Sequence, residues 1–470
     1  MKGKKKLAKQ SGNTYPPFGI KDKIGYAFGD FGNDFTFILS SSFLLKFYTD
    51  VMGVSAGLVG LMMMAARFVD AVTDVTMGQI VDRSTPTAKG KFIPWMRRFM
   101  GPVALASFLM YASWFQNMPM TFKIVWMFFT YILWGSICYT GVNIPYGSMA
   151  SAITDNPDER TQLSTWRNIG ATFAGTAIGV VLPLVVYYTD ENGNTALSGT
   201  KMSIAALICS ICAVICYLIS TSLCTERVKI EKKTETFSIG ALVKQLFSSR
   251  SLIAIIAAAI VLLLSQLTMS SMAAYVFPNY FGSAVGQSMA TLGGSVISIV
   301  FALFVIPVAA KKFGKKEIAI VGNCVAVVAY VLLFIIHTHN LMVYIVGYWL
   351  GYIGIAFFNG VIWAMIVDVI DEDEVRRGNR SDGTIYSLYS FARKIGQALS
   401  SGLSGALLTL VGYTTATAYD TDVLNGIYNI GTIIPAIGFA LLIVVLLFWY
   451  PLGKKQVDAN AAELAKRRNQ

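Results

Sequence analysis

Long apolar runs separated by short polar connections recur along the whole chain. A helix needs roughly 20 apolar residues to cross a hydrocarbon core, and stretches of that length stand at about 24–50, 53–80, 99–116, 121–152, 161–188, 201–222, 251–280, 287–310, 316–337, 341–370, 383–412 and 424–450. The pattern predicts an all-α integral membrane protein with twelve spans. One connection is unlike the others: TERVKIEKKTETFSIGALVKQLFSSR, about 225–250, is charged and falls after the sixth span. It predicts two six-helix bundles, 24–222 and 251–450, joined by a middle loop, 223–250, and flanked by tails at 1–23 and 451–470. Two bundles around a midplane site form the architecture of many secondary transporters. Glycine-rich runs inside the spans, such as LGGSV and YWLGYIG, suit close helix approach in lipid.

Composition strengthens this picture. Of 470 residues, 55% are hydrophobic and 14% charged, and the mean hydropathy is +0.58, too apolar for a soluble domain of ordinary make-up. The net charge of +12 raises nucleic acid as a partner, and the placement of the charge argues against it. Lysines and arginines gather in MKGKKKLAK, RSTPTAKGKFIPWMRR, the middle loop, KKFGKK, VRRGNRSD and KRRNQ, all on one side if the spans alternate. The connections on the other side, such as DENGNTALSG and YDTDV, are poor in basic residues. Under the positive-inside rule both termini and the middle loop are cytoplasmic, the basic excess faces anionic lipid, and the chain is a multi-pass protein of the cell membrane.

Some chemistries lack their parts. The opening MKGKKKLAKQSGNTYPP has no apolar run directly behind it, so no cleaved signal peptide is expected. All six cysteines lie in or beside apolar spans, which does not suit a disulfide framework. The sequence offers no P-loop, no nucleophile–base pair and no histidine-rich metal set, so neither an enzyme nor a cofactor is expected.

The chemistry sits inside the spans. Asp30 and Asp34 stand four apart in FGDFGNDF, and Asp70 and Asp74 four apart in ARFVDAVTDVTMG, so each pair shares one helical face. A charge at the bilayer centre costs at least ~2.5 kcal/mol on insertion scales. Such pairs predict a polar pathway.

Five motifs in fixed order then carry a family resemblance: FGDFGNDF…FYTDVMGVSAGLVG, ARFVDAVTDVTMGQIVDR…GKFIPW, NIPYGSMASAIT, NPDERTQLSTWRNIGATFAG and TIYSLYSFARKIGQA. From about residue 20 to 450 the chain resembles the glycoside-pentoside-hexuronide:cation symporters, sugar permeases of the major facilitator superfamily. The glucuronide and sulfoquinovose branch looks nearer than the melibiose branch. The resemblance implies that Asp34 and Arg167 meet the sugar as a pair, one accepting from hydroxyls and the other donating. Asp30 joins them as a substrate-site carboxylate. Asn143 stands where melibiose-type members have a second sugar-binding aspartate, and Gly147 where they have a tryptophan. Loss of that negative charge leaves room for an anionic sugar.

The same resemblance implies a coupling-cation site at Asp70, Thr73 and Asp74 with Thr140. Hard oxygen ligands suit Na⁺, and two close carboxylates also suit a proton carrier, so the coupling ion is read as Na⁺ or H⁺. Lys394 is expected near this site, on a polar stripe with Tyr386, Ser390 and Gln397, to balance the carboxylates when the cation leaves. Arg393 is expected to point elsewhere, towards headgroups or a loop carboxylate. Trp363 and Asn359 are candidates to face the cavity. Asp82 and Arg83, with Lys89 and Lys91, and a later cluster of Asp368, Asp371, Glu374, Arg376, Arg380 and Asp382 are expected to form inner-side gating ion pairs.

Together these expectations describe a symporter, working as a monomer, that carries a glycoside or sugar acid by alternating access. A sodium-coupled carrier of an amphiphile such as a lysolipid, and a transporter-like sensor, are the alternatives.

Overall fold

The computed structural model describes residues 15–228, 249–378 and 382–468. The centre of the middle loop, the extreme termini and Arg380 lie outside them, as do the side chains of Asp382 and Tyr386. The chain is almost entirely helical. In order it forms α1 (Ile20–Asp50), α2 (Ala56–Arg83), α3 (Ile93–Leu109), α4 (Met120–Ile153), α5 (Pro157–Val186), α6 (Gly199–Leu223), α7 (Arg250–Tyr280), α8 (Ala284–Phe313), α9 (Lys315–Ile336), α10 (Leu341–Arg377), α11 (Asp382–Leu410), α12 (Thr421–Trp449) and α13 (Lys454–Arg468). Among the described residues nine of these, α2, α4 to α10 and α12, are long and apolar enough to cross a membrane. Of the expected spans, the first is interrupted by Asp30, Asp34 and Lys46, and α3 has only 17 residues. α3 also begins at Ile93, ahead of the expected apolar start, because Arg97 and Arg98 break the hydropathy without breaking the helix.

Helices α1 to α6 pack mainly on one another, with α1 against α5 and α6, and α3 against α4 and α6. Helices α7 to α12 do the same through α9/α10, α9/α12 and α7/α12. The two sets meet along α2/α11, α5/α8 and α1/α7. Glycine decides how closely α2 and α11 approach: a Cβ on Gly60 would lie 2.7 Å from the Ser401 carbonyl oxygen and 2.9 Å from the Gly405 Cα. Such contacts let two backbones touch where lipid supplies no hydrophobic drive between helices.

Each end of the helix array has its own polar fastening. At the end that begins α1, Asp22 pairs with Arg227 (2.9 Å). Glu226 accepts from the backbone N–H groups of Lys91, Phe92 and Ile93 at 2.7, 2.9 and 2.8 Å, satisfying donors at the start of α3. Burial pushes the Glu226 carboxyl up from its ordinary range, and the three amides act against that shift. At the opposite end a small hairpin, β1 (Tyr187–Thr189) with β2 (Thr195–Leu197), replaces the plain loop expected there.

Candidate functional site

The carboxylates of α1 are divided in their roles. Asp30 is 6% exposed and pairs with Arg167 of α5, Nε to Oδ1 at 3.0 Å. The expected partner of Arg167 was Asp34, and the structure corrects this. The α1/α5 packing sets Asp30, one turn earlier, opposite the guanidinium. Asp34 is half-buried and accepts no hydrogen bond among the described residues. Arg167 lies over the ring of Tyr146 (5.3 Å), which stacks on Tyr26, and its side chain stays 40% exposed. Asn143 reaches this cluster through Asn33, whose Nδ2 donates to the Asn143 Oδ1 (3.4 Å) while Tyr217 donates to the Asn33 Oδ1 (2.8 Å).

The carboxylates of α2 are held by matched partners. Ser136 donates to Asp70 (2.6 Å), and Thr140 donates to Asp74 (2.7 Å). Both hydroxyls come from α4, where a π-helical turn at Leu133–Tyr139 sits at the contact. Such turns shift helical register and recur at functional sites. Each carboxylate also has a cation: Arg67 meets Asp70 at 3.1 Å, and Lys394 of α11 forms an ion pair with Asp74 across the α2/α11 seam. Thr73 turns its hydroxyl hydrogen back to the Val69 and Asp70 carbonyls. Phe37 links the two centres geometrically, lying under Arg67 at 5.2 Å and stacked with Tyr139 at 6.0 Å. Tyr139 in turn is within electrostatic reach of Asp30, Asp34, Arg167 and Arg67.

From α11, Arg393 lies within electrostatic reach of Asp30, Asp34 and Tyr389. Its charge therefore acts on the α1 carboxylates from a position next to Lys394 on the helix that lines the seam. Trp363 of α10 is 42% exposed and meets Tyr389 edge to face at 5.0 Å. Asn359 donates to Gln266 (3.3 Å).

Two of the expected gating charges, Asp82 and Asp368, have ion-pair partners nearby. Lys91 approaches Asp82 at 3.9 Å and Lys315 meets Asp368 at 2.6 Å, each pair lying within one set of helices. Arg83 has no ion pair among the described residues. Sequence reasoning passed over Arg67, Ser136 and Tyr146. Arg67 carried a usable signal, standing three residues before Asp70 on the same face; the two α4 residues could be recognised only once the π turn had set their direction.

Comparison with known proteins gives a consistent result. Residues 25–454 match the family described as MFS/sugar transport protein. The chain is 31% identical to an isoprimeverose transporter of Lactiplantibacillus pentosus, over 91% of this chain and 88% of that one. It is 28% identical to a glucuronide carrier protein homolog of Escherichia coli, over 95% of both. Its fold superposes on a bacterial homolog of the lysosomal transporter Spinster, in an inward-facing and unoccupied conformation, with a TM-score of 0.62 and 12% identity over 95% of this chain and 97% of that one.

Proposed function

This chain belongs to the MFS sugar-transport family, and from that premise we propose that it is a cation-coupled symporter for a glycoside or sugar acid. In this reading twelve helices span the cell membrane as two bundles, 24–222 and 251–450, with both termini cytoplasmic, and one protomer suffices for transport. The glucuronide carrier among its relatives supports an anionic sugar. Asp34, which accepts no hydrogen bond among the described residues, accepts from sugar hydroxyls, while the exposed part of Arg167 and Asn143 donate to sugar oxygens. Asp30 positions Arg167 and offsets its charge.

The observation that carries the coupling is the Asp74–Lys394 ion pair across the α2/α11 seam. Asp70 and Asp74 with Ser136 and Thr140 offer hard oxygen donors fit for Na⁺, and the carboxylates serve a proton equally. A cation that enters displaces Lys394 from Asp74, so occupancy of the site is tied to the contact between the two bundles. Sugar is held by α1 and α5, which meet the second set of helices at α7 and α8, and this gives the two ligands a common conformational equilibrium to bias.

Coupling of this kind is reciprocal. Thermal unfolding of the purified protein should show that Na⁺, or a lowered pH, strengthens stabilisation by the transported sugar, and that sugar strengthens cation binding by the same factor. Sugar stabilisation that is identical in Na⁺ and choline and at every pH contradicts coupling through this site.

A further inference from the structure

A second buried charge cluster lies at the other end of α1, apart from the sugar and cation centres. Lys46 is 1% exposed. Its ammonium meets Asp50 at 2.7 Å, donates to Asn279 of α7 at 2.7 Å and to the Tyr413 hydroxyl at 3.3 Å, and lies 4.5 Å over the ring of Tyr275. Tyr413, just beyond α11, donates to Asp50 at 2.7 Å. Thr49 donates to Asp50 and shares a hydrogen bond with the Tyr275 hydroxyl. α1 thus supplies the ions, and the second set of helices supplies most of the groups that satisfy them.

A buried ammonium is tolerated only when it is paired and hydrogen-bonded. Asn279, Tyr275 and Tyr413 provide that environment only while the two bundles touch. The same end holds a close backbone approach of α2 and α11, at Gly60 and Gly405. Asp50 and Lys46 differ in access: Asp50 keeps 15% exposure and lines an open cleft with Gln116, Tyr188 and Lys201, whereas Lys46 is sealed.

We propose that Lys46, Asp50, Asn279 and Tyr413 form a lock that holds the two bundles closed at the Asp50 end, and that the lock opens by hydration of the Lys46 ammonium. This rests on the alternating-access reading above and adds the device that closes one face. The inference makes the two ions unequal. Removing the Asp50 charge leaves a sealed cation without its counter-ion, which favours separation of the bundles into water. Removing the Lys46 charge leaves a carboxylate that is already hydrogen-bonded and within reach of solvent.

The test uses the full-length protein in proteoliposomes with a reporter cysteine, Ser404→Cys, at a buried position on α11 facing a small chamber between the bundles. Its alkylation by a membrane-impermeant maleimide, added from the side that α1 ends on, is measured against the chain lacking the reporter. Asp50→Asn should raise the rate by about tenfold or more, because one partner of a buried pair has been removed. Adding Lys46→Met should return it towards the parent value, and Tyr413→Phe alone should give a smaller rise. A rate unmoved by Asp50→Asn and by Tyr413→Phe overturns the lock, as does an Asp50→Asn rate that Lys46→Met fails to lower. Sugar uptake by the parent protein separates the two readings: normal uptake with an unmoved alkylation rate refutes the lock alone, and absent uptake refutes the transport reading on which it rests.

Discussion

Asp30 and Asp34 stand one turn apart on α1, and the difference in their partners divides their work. Asp30 is buried whereas the Arg167 side chain keeps 40% exposure, so Asp30→Ala strands a guanidinium that water partly solvates and should lower stability, read from the thermal unfolding midpoint, by less than the ~3–5 kcal/mol cost of breaking a fully buried pair. Among the described residues Asp34 has no hydrogen-bond partner to strand. Asp34→Ala should leave the thermal unfolding midpoint close to the parent value and abolish sugar binding measured by calorimetry. Intact sugar affinity in folded Asp34→Ala protein would remove Asp34 from the pocket. The sequence made all four aspartates stand out, because a charge in an apolar run is conspicuous. It could not assign Arg167 to one of them, since a four-residue spacing places both on the same face and only the α1/α5 packing selects between them.

At the scale of elements, charged side chains hold helix ends that the apolar pattern places but does not anchor. Glu226 gathers three backbone donors at the start of α3 from a position beyond α6. Glu226→Ala leaves those donors without an acceptor and should cost about 1–3 kcal/mol, read as a fall in the unfolding midpoint in detergent. An unchanged midpoint would mean that water replaces the carboxylate freely. Helices with uninterrupted apolar runs, such as α6 and α9, follow the hydropathy closely. The expected boundaries drift where polar residues sit inside a helix: α3 starts earlier than its apolar run, and α10 continues to Arg377 through DVIDEDEV. Hydropathy reports the bilayer, whereas the helix continues for as long as its backbone hydrogen bonds do. The π turn in α4 left no mark in the apolar pattern, yet it lies where Ser136 and Thr140 reach the two aspartates.

For the whole molecule, the distribution of basic residues predicts a sidedness that labelling can test. A cysteine near Lys232 should react with an impermeant reagent only from the cytoplasmic face, and one near Asn194, in the hairpin, only from outside. The reverse pattern would invert the orientation. The charged stretch at 225–250 and the succession of apolar runs predict two bundles; in the structure α1 to α6 and α7 to α12 each pack mainly among themselves. The expected gating charges lie at helix ends, whereas among the described residues the Asp74–Lys394 pair and the Lys46 cluster cross between the two sets of helices. Asp50 and Lys46 sit near a span end, where a sequence reader expects charges to snorkel to the interface. Only the fold reveals that a second bundle covers them.

Those cross-bundle contacts make coupled transport the central claim, and uptake by proteoliposomes tests it most directly. Vesicles holding the purified protein are given labelled glucuronide-like and neutral sugars under an inward Na⁺ gradient, an inward proton gradient, or neither. Accumulation above the equilibrium level is expected under one of the two gradients, with collapse of that accumulation when the gradient is dissipated, and loss of accumulation but retention of sugar exchange in Asp74→Cys. Transport that merely equilibrates under both gradients, or full accumulation by Asp74→Cys, would contradict that claim.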